Sequence, residues 1–119
     1  MDIQKTIITS RSAGDVVIFD IGGEFTRWGQ ALPTLSELVR AKLNEGKNRI
    51  LLNFEKTGFV DSYGVGELIA GFISTRNSGG MLKLCRIPDR LDVIFRITGL
   101  DKVLTICPTE EAALEAFAR

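Results

Sequence analysis

The stretch FVDSYGVGELIAG, Phe59 to Gly71, holds the residues best placed to do chemistry. An apolar strand runs into Asp61 and Ser62, glycines follow at Gly64 and Gly66, and an apolar helical stripe begins. A strand-to-helix turn of this kind admits four uses. It could hold a nucleotide phosphate, expose a nucleophilic serine, cap a helix, or present a serine for modification.

A dinucleotide site needs Gly-x-Gly-x-x-Gly after a strand. Gly64 and Gly66 fit, but Ile69 stands at the third position and no P-loop lysine follows. A nucleophile elbow needs Gly-x-Ser-x-Gly, and Val60 occupies its first position. The chain contains no histidine. That removes the commonest general base, any Ser-His pair and most zinc sites. An enzyme would have to work with carboxylates, lysines or groups carried by its substrate. Both enzymatic uses are therefore weak, and neither a cofactor nor a metal is expected.

As a cap, Asp61 or Ser62 would accept hydrogen bonds from the free N–H groups of the first helical turn. Glycine there costs about 0.5–1 kcal/mol against alanine. Two of them imply that something approaches the backbone closely, either a partner or the neighbouring sheet. As a modification site, Ser62 would carry nearly two negative charges once phosphorylated. Those charges would meet the free N–H groups and the positive dipole end of the helix. The fold would tolerate both states. A docked partner would not, because a dianion in an interface built for a hydroxyl is desolvated or repelled.

The composition narrows the field further. A chain of 119 residues suits one domain, taken as residues 1–119. Fifteen basic residues balance fifteen acidic ones, without the excess that marks a nucleic-acid binder. No apolar run approaches the roughly 20 residues of a membrane span, and the first residues lack the apolar core of a signal peptide. A cytoplasmic protein is expected. Cys85 and Cys107 lie far apart along the chain and read as reduced, structural thiols.

The elements that must position Ser62 follow from apolar spacing. Ile3 to Thr9 and Asp15 to Ile21 read as a hairpin turning at Ser12 to Gly14, and Gly22 to Gln30 reads as a loop. Pro33 suits the first turn of a helix carrying Leu35, Leu38, Val39 and Leu43 on one face. Asn48 to Phe54 is a near-continuous apolar run, as in a central strand covered on both faces. Val65, Leu68, Ile69, Phe72 and Ile73 form the next helical stripe, broken by Gly79-Gly80. Met81 to Cys85 is a strand. Pro88 opens a helix with Leu91, Ile94 and Phe95 inward, and Gly99 suits its left-handed C-cap. Val103 to Ile106 is a short strand, and Pro108-Thr109 starts a last helix led by Glu110 and Glu111. Alternation of helix and strand implies an α/β sheet with parallel crossovers.

FVDSYGVGELIAG resembles the signature of STAS domains, above all bacterial anti-sigma factor antagonists, whose pattern is a strand, Asp-Ser-Ser-Gly-Leu-Gly and an apolar helix. The likeness covers nearly the whole chain. GGEF at Gly22 to Phe25 is similar to the family's Gly-Glu-Leu-Asp loop, and RILLNFEKTGFVDS to its central strand and following loop. NSGGMLKLC and VIFRITGLDKVLTICPTEEAAL resemble its later turn, corner, strand and helix. The resemblance implies a mixed sheet of four to five strands with about four helices mainly on one face. It implies a binding protein rather than an enzyme. The partners it implies are an anti-sigma factor serine kinase and a PP2C-type phosphatase. Carried over, Ser62 is the phosphorylated residue, and Asp61 caps the helix or orients the Ser62 hydroxyl. Gly64 and Gly66 let the partner approach, and Glu24 borders the same surface. Tyr63 replaces the pattern's second serine and Thr26 its loop aspartate; Trp28 sits near the tip of a longer segment. Two other functions compete: a STAS adaptor subunit of a signalling or transport complex with no phosphorylation cycle, and a small nucleotide-binding protein.

Overall fold

The computed structural model describes residues 5–118. Strand β1 (Ile7–Ala13) and strand β2 (Val16–Phe25) form an antiparallel hairpin. The expected first strand, Ile3 to Thr9, is displaced along the chain, and Ile3 lies outside the described residues. Ser12 and Ala13, expected in the turn, pair with Val17 and Val16. The turn shrinks to Gly14-Asp15 because Gly14 takes a left-handed φ of 60°, the conformation a two-residue hairpin loop requires.

Gly22 to Phe25, expected as loop, continues β2. Gly23 has φ 77°, and the register against strand β4 (Thr57–Val60) shifts between Gly23 and Glu24. The glycines thus mark a β-bulge rather than the end of the strand. β4 runs parallel to this end of β2, pairing Glu24 with Phe59 and Phe25 with Val60.

Helix α1 (Leu35–Asn44) starts at Thr34, which forms a capping box with Glu37. Pro33 therefore sits just ahead of the cap rather than in the first turn. Strand β3 (Arg49–Asn53), helix α2 (Ser62–Asn77), strand β5 (Met81–Cys85) and helix α3 (Asp89–Thr98) follow the expected order. Gly99 closes α3 at φ 79°. A 3-10 turn at Leu100–Lys102 takes up the next residues, so strand β6 (Thr105–Cys107) begins later than Val103. Helix α4 (Glu110–Ala118) completes the chain.

The sheet has six strands in the order β1-β2-β3-β5-β6, with β4 attached to β2. The β2–β3, β3–β5 and β5–β6 pairs are all parallel. Strand alternation divides the core. Val17, Phe19, Ile21, Ile50, Leu52, Leu82 and Leu84 face Val39, Leu68, Leu91 and Phe95 of α1, α2 and α3. Val16, Ile18, Leu51, Cys85 and Cys107 face Ala113 and Phe117 of α4. Three helices cover one face and one covers the other, which explains why β3 is apolar at successive positions. Cys85 and Cys107, distant in sequence, are register partners across β5 and β6, and both are buried free thiols. Burial pushes the Cys85 thiol up to about 12, so it stays protonated and inert.

On the α4 face, Arg11 of β1 is clamped between two carboxylates. Its Nε donates to Asp20 Oδ2 at 2.6 Å and its Nη1 to Glu110 Oε2 at 3.0 Å. Asn53 Nδ2 also donates to Glu110 Oε1, at 3.0 Å. The Arg11 hydrogen bonds, aided by Asn53, hold the Glu110 carboxyl below its ordinary value of 4.5. A depressed carboxylate stabilises the fold above the unfolded pKa and loses that contribution as pH falls through the folded one. Glu110→Gln should therefore cost about 0.5–1 kcal/mol at pH 7 for such a half-exposed pair. The difference from wild type should shrink as pH falls below the ordinary carboxylate value. Urea unfolding at pH 7 and in that acid range reads it directly; an unchanged difference at low pH would rule out the ion pair as the cause.

Candidate functional site

The start of α2 is built around Asp61. Its Oδ1 accepts the Gly64 N–H at 3.0 Å and its Oδ2 accepts the Arg27 N–H at 3.1 Å. One carboxylate thus caps the helix and ties down the segment after β2. Of the two candidate caps Asp61 is the one used, and Ser62 becomes the first helical residue. With both oxygens committed to main-chain donors, Asp61 is poorly placed to act as a base for Ser62. Ser62 is left exposed, with its side chain free of any capping duty.

The two glycines do different things. A Cβ on Gly64 would sit 2.3 Å from the Phe25 carbonyl oxygen and 2.8 Å from Val60 Cγ1. Gly64 is buried. Its missing side chain lets α2 press against the end of β2, so the clearance expected there for a partner is already filled by the protein itself. Gly66 is exposed, and nothing lies within 4 Å of where its Cβ would be. The open approach expected of both glycines exists only at Gly66.

Tyr63 is half-buried. Burial raises its phenol pKa, and the carboxylates of Glu67, Glu37 and Asp61 add to the effect, so it remains a neutral phenol. Glu67 accepts the Ser36 N–H at 3.0 Å, which links α2 to the start of α1. Tyr63 therefore belongs to the α1 side of the site. Glu24 is half-buried opposite Phe59, and its carbonyl oxygen accepts the Thr6 hydroxyl at 2.6 Å. Thr26 is buried, and its hydroxyl accepts the Gly29 N–H at 3.1 Å. Trp28 is 82% exposed and so is not packed on the sheet edge.

On the other side, Ser62 lines a groove of about 420 Å³ together with Phe59, Val60, Asp61, Val65, Arg90 and Ile94. The Arg90 guanidinium stands 5.3 Å from the centroid of the Phe59 ring. Phe59 and Arg90 are the contributors that the sequence reading missed. An aromatic residue 39% exposed on a strand is a usable signal, but it appears only once the strand is placed. Among the described residues no cluster of His, Cys, Asp and Glu could hold a metal ion. The arrangement offers an accessible hydroxyl at the edge of an apolar cleft with a single cation on its wall.

This fold and this turn define a protein class. A STAS domain model matches residues 8–113, and the chain belongs to the STAS domain family. A Thermotoga neapolitana protein whose name places it among anti-sigma factor antagonists is 33% identical over 73 residues. That match takes in 61% of this chain and 65% of the relative, so the chain spans about two thirds of that relative's length. The crystal structure of an anti-sigma factor antagonist from Mycobacterium paratuberculosis superposes with a TM-score of 0.82 at 19% identity. It covers 97% of this chain and 96% of the other. The Bacillus cell fate determinant SpoIIAA, solved in its phosphorylated form, gives a TM-score of 0.73 at 20% identity over 93% of this chain and 99% of its own. No helix among the described residues is long and apolar enough to cross a membrane.

Proposed function

We propose that this chain is a cytoplasmic anti-sigma factor antagonist, a binding protein whose Ser62 is the substrate of another enzyme. The observation that carries the reading is the placement of Ser62. It is the first residue of α2, exposed, relieved of capping by Asp61, and seated at the rim of an apolar groove. The unphosphorylated protein docks on an anti-sigma factor that is also a serine kinase, and this releases a sigma factor. The kinase then transfers phosphate. Ser62 Oγ forms a bond to the γ-phosphorus of ATP, the bond from that phosphorus to the bridging oxygen breaks and ADP leaves. The hydroxyl proton passes to a base on the kinase or to solvent. The product dianion ends docking. A PP2C-type phosphatase hydrolyses the ester with water, releases inorganic phosphate and restores the hydroxyl. Glu24, Asp61, Tyr63 and Gly66 border the docking face, while Gly64 supports it from below.

The names of the relatives support this reading, as does the existence of a phosphorylated form of a structural neighbour. Incubation with the cognate kinase, ATP and magnesium should place one phosphate on Ser62, mapped by mass spectrometry, and none on Ser62→Ala. Phosphate elsewhere, or none with a kinase of verified activity, would overturn the assignment.

A further inference from the structure

Among the seven residues of the groove beside Ser62, Arg90 is the only cation and Asp61 the only carboxylate. Asp61 already accepts two main-chain N–H groups. Arg90 is exposed, and among the described residues it enters no ion pair. Its neighbours on α3 differ in this respect, since Arg96 is paired with Asp92 at 3.0 Å. The Arg90 guanidinium lies over the Phe59 ring, 5.3 Å from its centroid, and a cation on an exposed aromatic face is held weakly. A guanidinium facing a phosphate forms charge-assisted, often bidentate hydrogen bonds, which are much stronger.

We propose that Arg90 is the receptor for the phosphate once Ser62 is phosphorylated: it leaves the Phe59 ring and pairs with the dianion across the groove. This rests on the reading of Ser62 as the phosphorylated residue. The pairing closes the mouth of the cleft over Val60, Val65 and Ile94, so a partner loses the apolar walls as well as meeting a new charge. Phosphorylation then acts without a backbone rearrangement. The moving part is one arginine side chain with a weak hold at one end and a strong one at the other. Other charged groups share this face. Asp61 repels the phosphate, Glu24 lies opposite Phe59 on the neighbouring strand, and Arg27, in the segment tied to Asp61 through its N–H, is the competing cation.

The test installs phosphoserine at position 62 of the full chain by genetic encoding and follows the phosphate by phosphorus NMR across pH. A nearby guanidinium favours the dianion, so the second pKa of the phosphate should lie lower in the wild-type background than in Arg90→Gln, by about half a pH unit or more. Arg90→Lys should recover part of the shift, and Arg27→Gln should leave it in place. Equal values in wild type and Arg90→Gln, or a shift that follows Arg27 instead, would overturn the proposal. Phe59→Leu guards against a folding defect in the arginine variant. It removes the ring but keeps the cation, so the low pKa should persist, and its loss would count against the pairing. Because no kinase is used, a negative result strikes Arg90 alone, whereas the kinase assay strikes the Ser62 assignment alone.

Discussion

Gly64→Ala is expected to destabilise the protein by about 3 kcal/mol, at the upper end of the cost of overpacking. The added Cβ would meet the Phe25 carbonyl oxygen at 2.3 Å, and a strand carbonyl cannot swing aside as the tip of a flexible side chain can. Either β2 and α2 separate or the helix start unwinds. Both would disturb the Asp61 hydrogen bonds to Gly64 and Arg27, and with them the presentation of Ser62. Gly66→Ala is the matched comparison. It lies in the same helix with open space around its Cβ position, so alanine should stabilise by about 0.5–1 kcal/mol through helix propensity. Chemical denaturation of both variants separates a packing role from a general dislike of side chains in this turn. Destabilisation of similar size in both would contradict the account.

The second large effect concerns binding. Under the proposed function, Ser62→Ala should keep the affinity of the unmodified protein for an anti-sigma kinase, because the hydroxyl would serve as the phosphate acceptor and its side chain is exposed rather than packed. Ser62→Asp should weaken binding about tenfold or more, since an uncompensated charge would be carried into a desolvated interface. The aspartate falls short of a phosphate in charge and reach, so its effect is a lower bound. Calorimetric titration of the three forms against the kinase measures both terms. Equal affinity for all three would remove the switch and favour a STAS adaptor without a phosphorylation cycle.

Much of this fold is legible in the residue order. β3 is buried on both faces and reads so from Ile50, Leu51 and Leu52. α2 follows its apolar spacing, and α3 ends at a glycine that does adopt a left-handed conformation. What failed to show were elements held by pairing rather than pattern. The end of β2 carries Gly22-Gly23, a local signal for a loop, yet the bulge lets it pair with β4. β4 is the apolar strand expected ahead of Asp61, but it is four residues long and contains Gly58, so alternation gives neither its start nor its pairing with β2.

The candidate site divides in the same way. Asp61 and Ser62 stand out because a polar pair at a strand-to-helix turn has few uses. Which of the two caps the helix depends on side-chain geometry that no spacing records. The two glycines look alike in sequence, but only the position of Phe25 distinguishes the one that packs from the one that is open. The Arg90–Phe59 contact joins α3 to β4 and exists only because the sheet brings those elements together.

In the proposed cycle, phosphate on Ser62 ends the docking of this protein on an anti-sigma kinase. The most direct measurement is the affinity of the full chain for that kinase, with serine or encoded phosphoserine at position 62, at one salt concentration. The unmodified protein should bind, and phosphorylation should lower the affinity about 100-fold or more, equivalent to roughly 2.7 kcal/mol. Affinities that agree within a factor of about two, a difference of only ~0.4 kcal/mol, would contradict it.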